Sequence, residues 1–239
     1  MILSNISKDI HFAAKRFEPE YAGIAAENMW RFSSDTLSHF MDGGHLIHEV
    51  ITADNRFFPQ TLGDHINPGH SIEDAWFMLD SAEINGHSES FADIFQMVLS
   101  TLDAGWDEQY GGILHFASVR GGEPDGDNSG FETEPMSVQL SGWGDKLWWP
   151  HSEALYTTLR CYAQSGDARF LDWHEKVFNY AYSTFPNTDP NIREWVQIRE
   201  RSGDACEKVV ALPVKDPYHV MRNLILIIEL LYKIAAGEQ

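Results

Sequence analysis

Three stretches of this sequence put acid–base side chains at helical spacing. In Asn67-Pro68-Gly69-His70-Ser71-Ile72-Glu73, His70 and Glu73 stand at i and i+3, so both project from one face of a first helical turn. A carboxylate beside an imidazole raises its pKa and orients its ring, which suits a general base near neutral pH. The same spacing also suits a helix cap without chemical duty. In Tyr218-His219-Val220-Met221-Arg222, His219 and Arg222 repeat the i, i+3 relation. Arg is a strong donor to hydroxyls and carboxylates, and two histidines facing across a cleft would form a paired acid and base. The plain alternative is a satisfied core histidine beside an arginine paired with an acidic loop. Between them lies Lys146-Leu147-Trp148-Trp149-Pro150-His151-Ser152-Glu153. An indole face stacks on the apolar C–H face of a pyranose, while Lys146, His151 and Glu153 could bond its hydroxyls. Two adjacent tryptophans at a helix start cannot face the same way, so one of Trp148 and Trp149 is expected to pack as core.

Other chemistries find less support. His39, His45, His48, His65 and His70 fall within 32 residues, with Glu49 beside His48. Their spacing matches no structural zinc pattern and no HExxH is present, so a solvated histidine-rich loop is expected and no metal site. There is no GxSxG nucleophile elbow. Gly121-Gly122 lacks the spacing and the following Lys-Ser/Thr of a phosphate-cradling loop, so no cofactor is expected.

The elements that must position these residues are helices. Phe91, Ile94, Phe95, Val98, Leu99 and Leu102 form one apolar stripe. Phe170, Trp173, His174, Val177, Phe178, Ala181 and Phe185 form a second, and Val220, Leu224, Ile227, Ile228 and Leu231 a third. Ile72, Ala75, Trp76 and Leu79, then Ala154, Leu155, Leu159 and Tyr162, mark two more. Asn85-Gly86 and Ser165-Gly166-Asp167 are tight breaks that join neighbours into αα-hairpins. Longer connections show strand-like alternation at 43–50, 111–116 and 194–199, each expected to form a short β-hairpin. After each loop a proline precedes or opens a helix and a histidine follows: Pro68 and His70, Pro150 and His151, Pro217 and His219. A unit recurring in this way signals a repeated architecture whose inner helices begin at one end. Residues 121–142 are acidic and rich in Gly, Ser and Pro, and read as a long loop able to cover a cleft.

Composition excludes several partners. Seventeen Lys and Arg stand against 36 Asp and Glu, a net charge of −19, whereas nucleic acid and anionic membranes bind basic surfaces. The longest aliphatic run, Leu224 to Ile228, is far short of the roughly 20 residues a membrane span needs. The first 17 residues carry charges and no continuous apolar core of a secretory signal. Two cysteines, Cys161 and Cys206, form no framework, as expected in a reducing cytoplasm.

Five strings together resemble the N-acylglucosamine 2-epimerase family, which also embraces cellobiose 2-epimerases and mannose-type aldose–ketose isomerases. They are residues 67–77, Lys146 to Ala154, Ser165-Gly166-Asp167, Glu194-Trp195, and Tyr218 to Arg222, in the family's order over residues from about 20 to 235. The resemblance implies an all-α fold, an (α/α)6 barrel of six helical hairpins, with the site where the inner helices begin. It implies an epimerisation in which the carbon beside an opened-sugar aldehyde is deprotonated and reprotonated from the other face through an enediolate. His70 and His219 match the family's acid–base pair, Glu73 the carboxylate that supports the first histidine, and Trp148 or Trp149 its stacking indole. Lys146, His151, Glu153 and Arg222 are the further substrate-binding candidates. Cellobiose epimerases more often carry Gln where His151 sits, so the N-acylglucosamine branch is preferred. The alternatives are aldose–ketose isomerisation and an inactive sugar-binding remnant. Val214, and Arg193 before Glu194-Trp195, depart from the family pattern. About three hairpins plus a leading helical segment are legible, so residues 1–239 read as a single barrel domain lacking an N-terminal portion of the order of 150 residues. The absent part normally supplies an arginine and another histidine. Apolar helix faces left exposed by half a ring would favour a homodimer.

Overall fold

The computed structural model describes residues 1–208 and 218–237. Its helices in chain order are α1 (Ile2–Phe17), α2 (Ala22–Asp35), α3 (Thr61–Asp64), α4 (Pro68–Asn85), α5 (Phe91–Gly105), α6 (Pro135–Gln139), α7 (Trp148–Ser165), α8 (Ala168–Thr184) and α9 (Tyr218–Ala236). Pairs α1/α2, α4/α5 and α7/α8 are antiparallel hairpins, each second helix packing back on the first. α7 lies between α4 and α9, while α4 also packs on α2, so α4, α7 and α9 form an inner row. The Thr157 hydroxyl donates to Ile72 O at 3.0 Å, and Asn223 Nδ2 to Ser152 Oγ at 2.8 Å, tying α7 to both neighbours. No described helix is long and apolar enough to cross a membrane.

Local chemistry sets the helix ends. Asn67 caps α4, its side chain accepting from the His70 N–H at 3.2 Å, and Pro68 fills the first position, where no N–H is needed. Gly86 ends α4 in the left-handed region at φ 77°, and Asp167 caps α8. α7 begins at Trp148, so Pro150 is its third residue and does not open it. The first-turn N–H groups have no intrahelical partner, so proline fits there without lost bonding. Pro217 and Val214 lie outside the described residues.

The core joins Ile72, Ala75 and Leu79 of α4 with Ile94, Val98 and Leu102 of α5, Ala154 and Leu155 of α7, and Phe170, Val177 and Ala181 of α8. α7 is buried almost all round, as its central place requires. The expected α9 stripe is corrected. Val220 and Ile227 pack inward, but Ile228 and Leu231 are exposed and the buried positions are Asn223 and Leu230. Aliphatic residues encircle this helix, so periodicity does not single out the face that meets α7. Ile2, Leu3, Ile6 and Ile10 of α1 are exposed in the same manner.

The three expected β-hairpins are corrected too. Among the described residues each loop keeps only isolated bridges, Met41 with Ile47, Trp106 with Ile113, and Pro186 with Trp195 and Arg199 with Ala205. The two-residue strands pair between successive loops: β1 (His65–Ile66) with β2 (Ala117–Ser118), and β3 (Lys146–Leu147) with β4 (Ile198–Arg199), both antiparallel. The loops are thus stitched to one another along the end where α4, α7 and α9 begin.

Candidate active site

At that end lies a cavity of about 640 Å³ lined by His70, Glu73, His115, Trp149, Gln197 and His219, with the first turns of α1 closing one side. Trp149 sits at its centre. Its ring lies 5.5 Å from His70 and 5.2 Å from His219, centroid to centroid, tilted 31° and 32°. Both imidazoles therefore pack on one indole, in contact range of one bound molecule. Gly69 makes this possible, since a Cβ there would stand 2.4 Å from the Trp149 ring.

Each histidine is held at Nδ1 by a carboxylate. His70 Nδ1–H donates to both oxygens of Glu49 at 3.1 Å. Burial alone would pull the His70 pKa down, but the Glu49 charge and hydrogen bond outweigh it and leave it raised. Glu73 was expected in this supporting role, on its i+3 spacing. It turns instead towards α9, where Arg222 Nη2 donates to it at 3.0 Å and His219 Nδ1 stands 3.8 Å away. Neighbouring inner helices lie close enough for side chains on adjoining faces to meet, and here that contact wins over the intrahelical one.

His219 Nδ1 is 2.6 Å from Glu153 Oε1. Glu153 is wholly buried and also accepts from Trp76 Nε1 at 2.9 Å and from Arg222. Arg222 lies 3.8 Å from the Tyr218 ring centroid and between two carboxylates. Burial, then the Glu153 charge, push Glu73 up to about 7, the counter-effects of His219 and Arg222 notwithstanding. Glu73, Glu153 and His219 are, among the described residues, the one group close enough to share a metal ion. Arg222 already donates to both carboxylates, so the donor set fits a guanidinium and not a cation ligand. The loop histidines do not converge: His48 pairs with Gly63 O and Asp42, and His65 with Leu62 O.

The other sequence candidates divide sharply. Trp148 is buried in the core with only an edge at the cavity, while Trp149 is the indole that lies against both His70 and His219. His151 is fully buried, donating from Nδ1 to Leu147 O at 2.7 Å and accepting the Ile113 N–H at Nε2 at 2.9 Å. Burial holds its pKa down to about 3, so it is neutral and both ring nitrogens are spent. Lys146 is equally buried, donating to Asp107, Gly111 O and Arg201 O. It clamps the α5–α7 connection to the loop after α8 and does not line the cavity. Glu153 and Arg222 lie one layer behind it. Glu49, Trp76, His115 and Gln197 are the residues that spacing missed. Glu49 and His115 sit in the alternating loops, and only the loop stitching brings them to the helix starts.

The sequence profile described as N-acylglucosamine 2-epimerase (GlcNAc 2-epimerase) matches residues 13–223. This chain belongs to the N-acylglucosamine 2-epimerase family. Relatives described as N-acylglucosamine 2-epimerase include those of Bos taurus, 32% identical over 97% of this chain, and Homo sapiens, 30% identical over 97%. The chain spans about half the length of these relatives, 50% in both cases. Among solved structures, cellobiose 2-epimerase from Spirochaeta thermophila superposes with a TM-score of 0.71 at 17% identity, covering 98% of this chain and 52% of that one. A D-mannose isomerase gives 0.65 at 14% identity, covering 95% and 55%. These likenesses fix the fold of the 2-epimerase family chain as part of an (α/α)6 barrel.

Proposed function

We propose that this chain carries the acid–base half of a sugar 2-epimerase, interconverting N-acylglucosamine and N-acylmannosamine, with His70 and His219 as the catalytic pair. The observation that carries the reading is the shared Trp149 indole with a carboxylate-anchored imidazole at each side of the chemistry. On this reading Trp149 stacks on the opened sugar. One imidazole takes the C2 proton, and the electron pair moves into the enolate formed with the C1 aldehyde oxygen, C2 keeping its acylamino group. The other returns a proton to C2 from the opposite face, so no bond but C2–H breaks and no redox partner is needed. Anchoring at Nδ1 fixes the orientation in which each ring meets the sugar. Glu49 supports a protonated His70, while Glu153, Glu73 and Arg222 fix His219.

Proton NMR in D2O tests this. Loss of the C2 proton signal of N-acetylmannosamine or N-acetylglucosamine, with appearance of the epimer, is the expected result. With mannose or glucose, which carry a hydroxyl at C2, a ketose product would instead mean reprotonation at C1 of an enediolate and an isomerase. No exchange by a folded sample at high enzyme concentration would remove the reading. The free Cys161 and Cys206 support residence in a reducing cytoplasm. The exposed aliphatic rows of α1 and α9 support self-association, which light scattering reads as a mass near twice 27.2 kDa.

A further inference from the structure

His115 lines the cavity together with His70, yet the acid–base scheme gives it no task. It stands just before β2, its backbone N–H donating to Asp145 O at 2.9 Å and its ring stacked on Phe116 at 3.9 Å between centroids. The residue is only 7% exposed. Nδ1 is a sealed atom with no hydrogen-bond partner among the described residues, which leaves Nε2 as the ring nitrogen able to meet a molecule in the cavity. Burial, then the charge of His70, hold its pKa down to about 4 against the pull of the Gly142 carbonyl. The ring is therefore neutral near neutral pH, with one nitrogen donating and the other accepting. His151 shows how a purely structural histidine is treated in this fold, with a partner at each nitrogen. A buried imidazole without such partners costs stability, a cost offset where a ligand supplies the missing bond.

We propose that His115 is a specificity-determining residue of the epimerase site, its Nε2 hydrogen-bonding the hydroxyl on C3 of the sugar. The proposal rests on the epimerase reading, which sets C2 of the substrate against His70. The carbons bonded to C2 are C1 and C3, and a side chain bordering the same space as His70 meets what they carry. At C1 the opened sugar presents a carbonyl oxygen, which only accepts. At C3 it presents a hydroxyl, which both donates and accepts and so matches either tautomer of a neutral imidazole. A second imidazolium beside His70 would be repelled by it, whereas the neutral ring adds a polar contact without adding charge. A sugar lacking the C3 hydroxyl leaves Nε2 unpaired in a closed site and is bound less well.

The test compares N-acetylmannosamine with its 3-deoxy analogue on the full chain, following C2-proton exchange in wild type, His115→Phe, His115→Gln and His115→Asn. In the wild type the 3-deoxy analogue is expected to show a KM about tenfold higher. His115→Phe keeps the stack on Phe116 and should raise KM for N-acetylmannosamine about tenfold with little change in kcat, while the analogue's KM stays as in wild type. A Gln amide reaches the place of Nε2 and an Asn amide that of Nδ1. His115→Gln should therefore restore the preference for the 3-hydroxyl, and His115→Asn should not. Where His115→Phe folds poorly, this pair decides alone. No preference in the wild type, the same preference in His115→Phe, or rescue by Asn and not by Gln overturns the assignment. Absence of C2 exchange from wild type with either sugar removes the epimerase reading. Saturation-transfer NMR on the same samples then still tests His115 by affinity: a 3-hydroxyl preference lost in His115→Phe keeps the contact, and an unmoved one removes it.

Discussion

Glu153→Gln is the most severe isosteric test of the site, because one carboxylate accepts from three donors. Oε2 takes the Trp76 indole N–H at 2.9 Å, while Oε1 takes His219 Nδ1–H at 2.6 Å and the Arg222 guanidinium. A glutamine has one accepting oxygen. Turned towards His219 and Arg222, it sets its NH2 against the Trp76 N–H; turned the other way, it sets NH2 against an imidazole donor and a guanidinium. Neither orientation is satisfied, and the side chain is wholly buried, so water cannot repair the mismatch. Removing one partner of a buried charge network costs about 3–5 kcal/mol. Glu73 still holds Arg222 at 3.0 Å, which places the loss at the lower end, about 3 kcal/mol. For a chain of this size that is a fall in Tm of about 6–12 °C. Thermal melting by circular dichroism reads it, together with loss of C2-proton exchange. Arg222→Met in the same background should be less costly than in the wild type, giving a coupling in a double-mutant cycle. An unchanged Tm, or additive losses in the cycle, would refute the claim that Glu153 joins α4, α7 and α9 through these donors.

The two tryptophans should separate by what they lose. Trp148→Ala is expected to cost about 3–5 kcal/mol of stability, while Trp149→Ala should raise KM for the sugar with little change in Tm; parallel melts and kinetics distinguish them. Gly69→Ala would place a methyl against the Trp149 ring, so C2 exchange should fall while helix content by circular dichroism is kept; full activity would show that the indole position is immaterial. Two buried groups give opposite pH slopes. Glu73 is raised to about 7, so the native state binds its proton more tightly than the unfolded chain, and its contribution falls as pH rises from about 4.5 to 7. His151 is held down to about 3, so its contribution is lost as pH falls below about 6.5. Melts of wild type and Glu73→Gln between pH 5 and 8 should converge at the acid end; curves that stay parallel would contradict the raised carboxyl.

The residues that enter helices at their first turns were legible in the sequence, because proline, the Asn67 cap and the glycine stops fix those ends locally. Trp149 in place of Trp148 was not legible. Both are large and apolar, and which one packs against His70 and His219 depends on α7 starting three residues before His151. His151 and Lys146 read as hydroxyl-binding side chains by type, yet both are spent inside the protein on partners drawn from other loops, Ile113 for one and Asp107 with Arg201 for the other. Glu49 was passed over for a related reason. It lies 21 residues before His70, in a loop whose alternation reads as a free hairpin, and the backbone contact of Glu49 N–H with His65 O at 3.5 Å belongs to the stitching of loops. Periodicity reports a face of one element; it carries no information about which neighbour that face will meet.

The supporting carboxylates make that distinction functional. His70 and Glu73 share a helix face, as do Trp149 and Glu153 at i, i+4, and His219 and Arg222 at i, i+3. In each pair the first residue borders the cavity or stacks beside it, and the second lies one turn deeper. The deeper residues bond sideways and not upwards: Glu73 to Arg222 of α9, and Glu153 to His219 and Arg222 of α9 and to Trp76 of α4. Three inner helices therefore share one buried charge layer directly beneath the chemistry. A change in the spacing of any two helices must strain charge-assisted hydrogen bonds before it can part His219 from Trp149. His70 stands outside this layer, anchored from a loop by Glu49. Its backbone is set by α4, but its ring is oriented through the loop stitching, so substitutions in β1 or β2 should reach the His70 ring first and leave His219 in place.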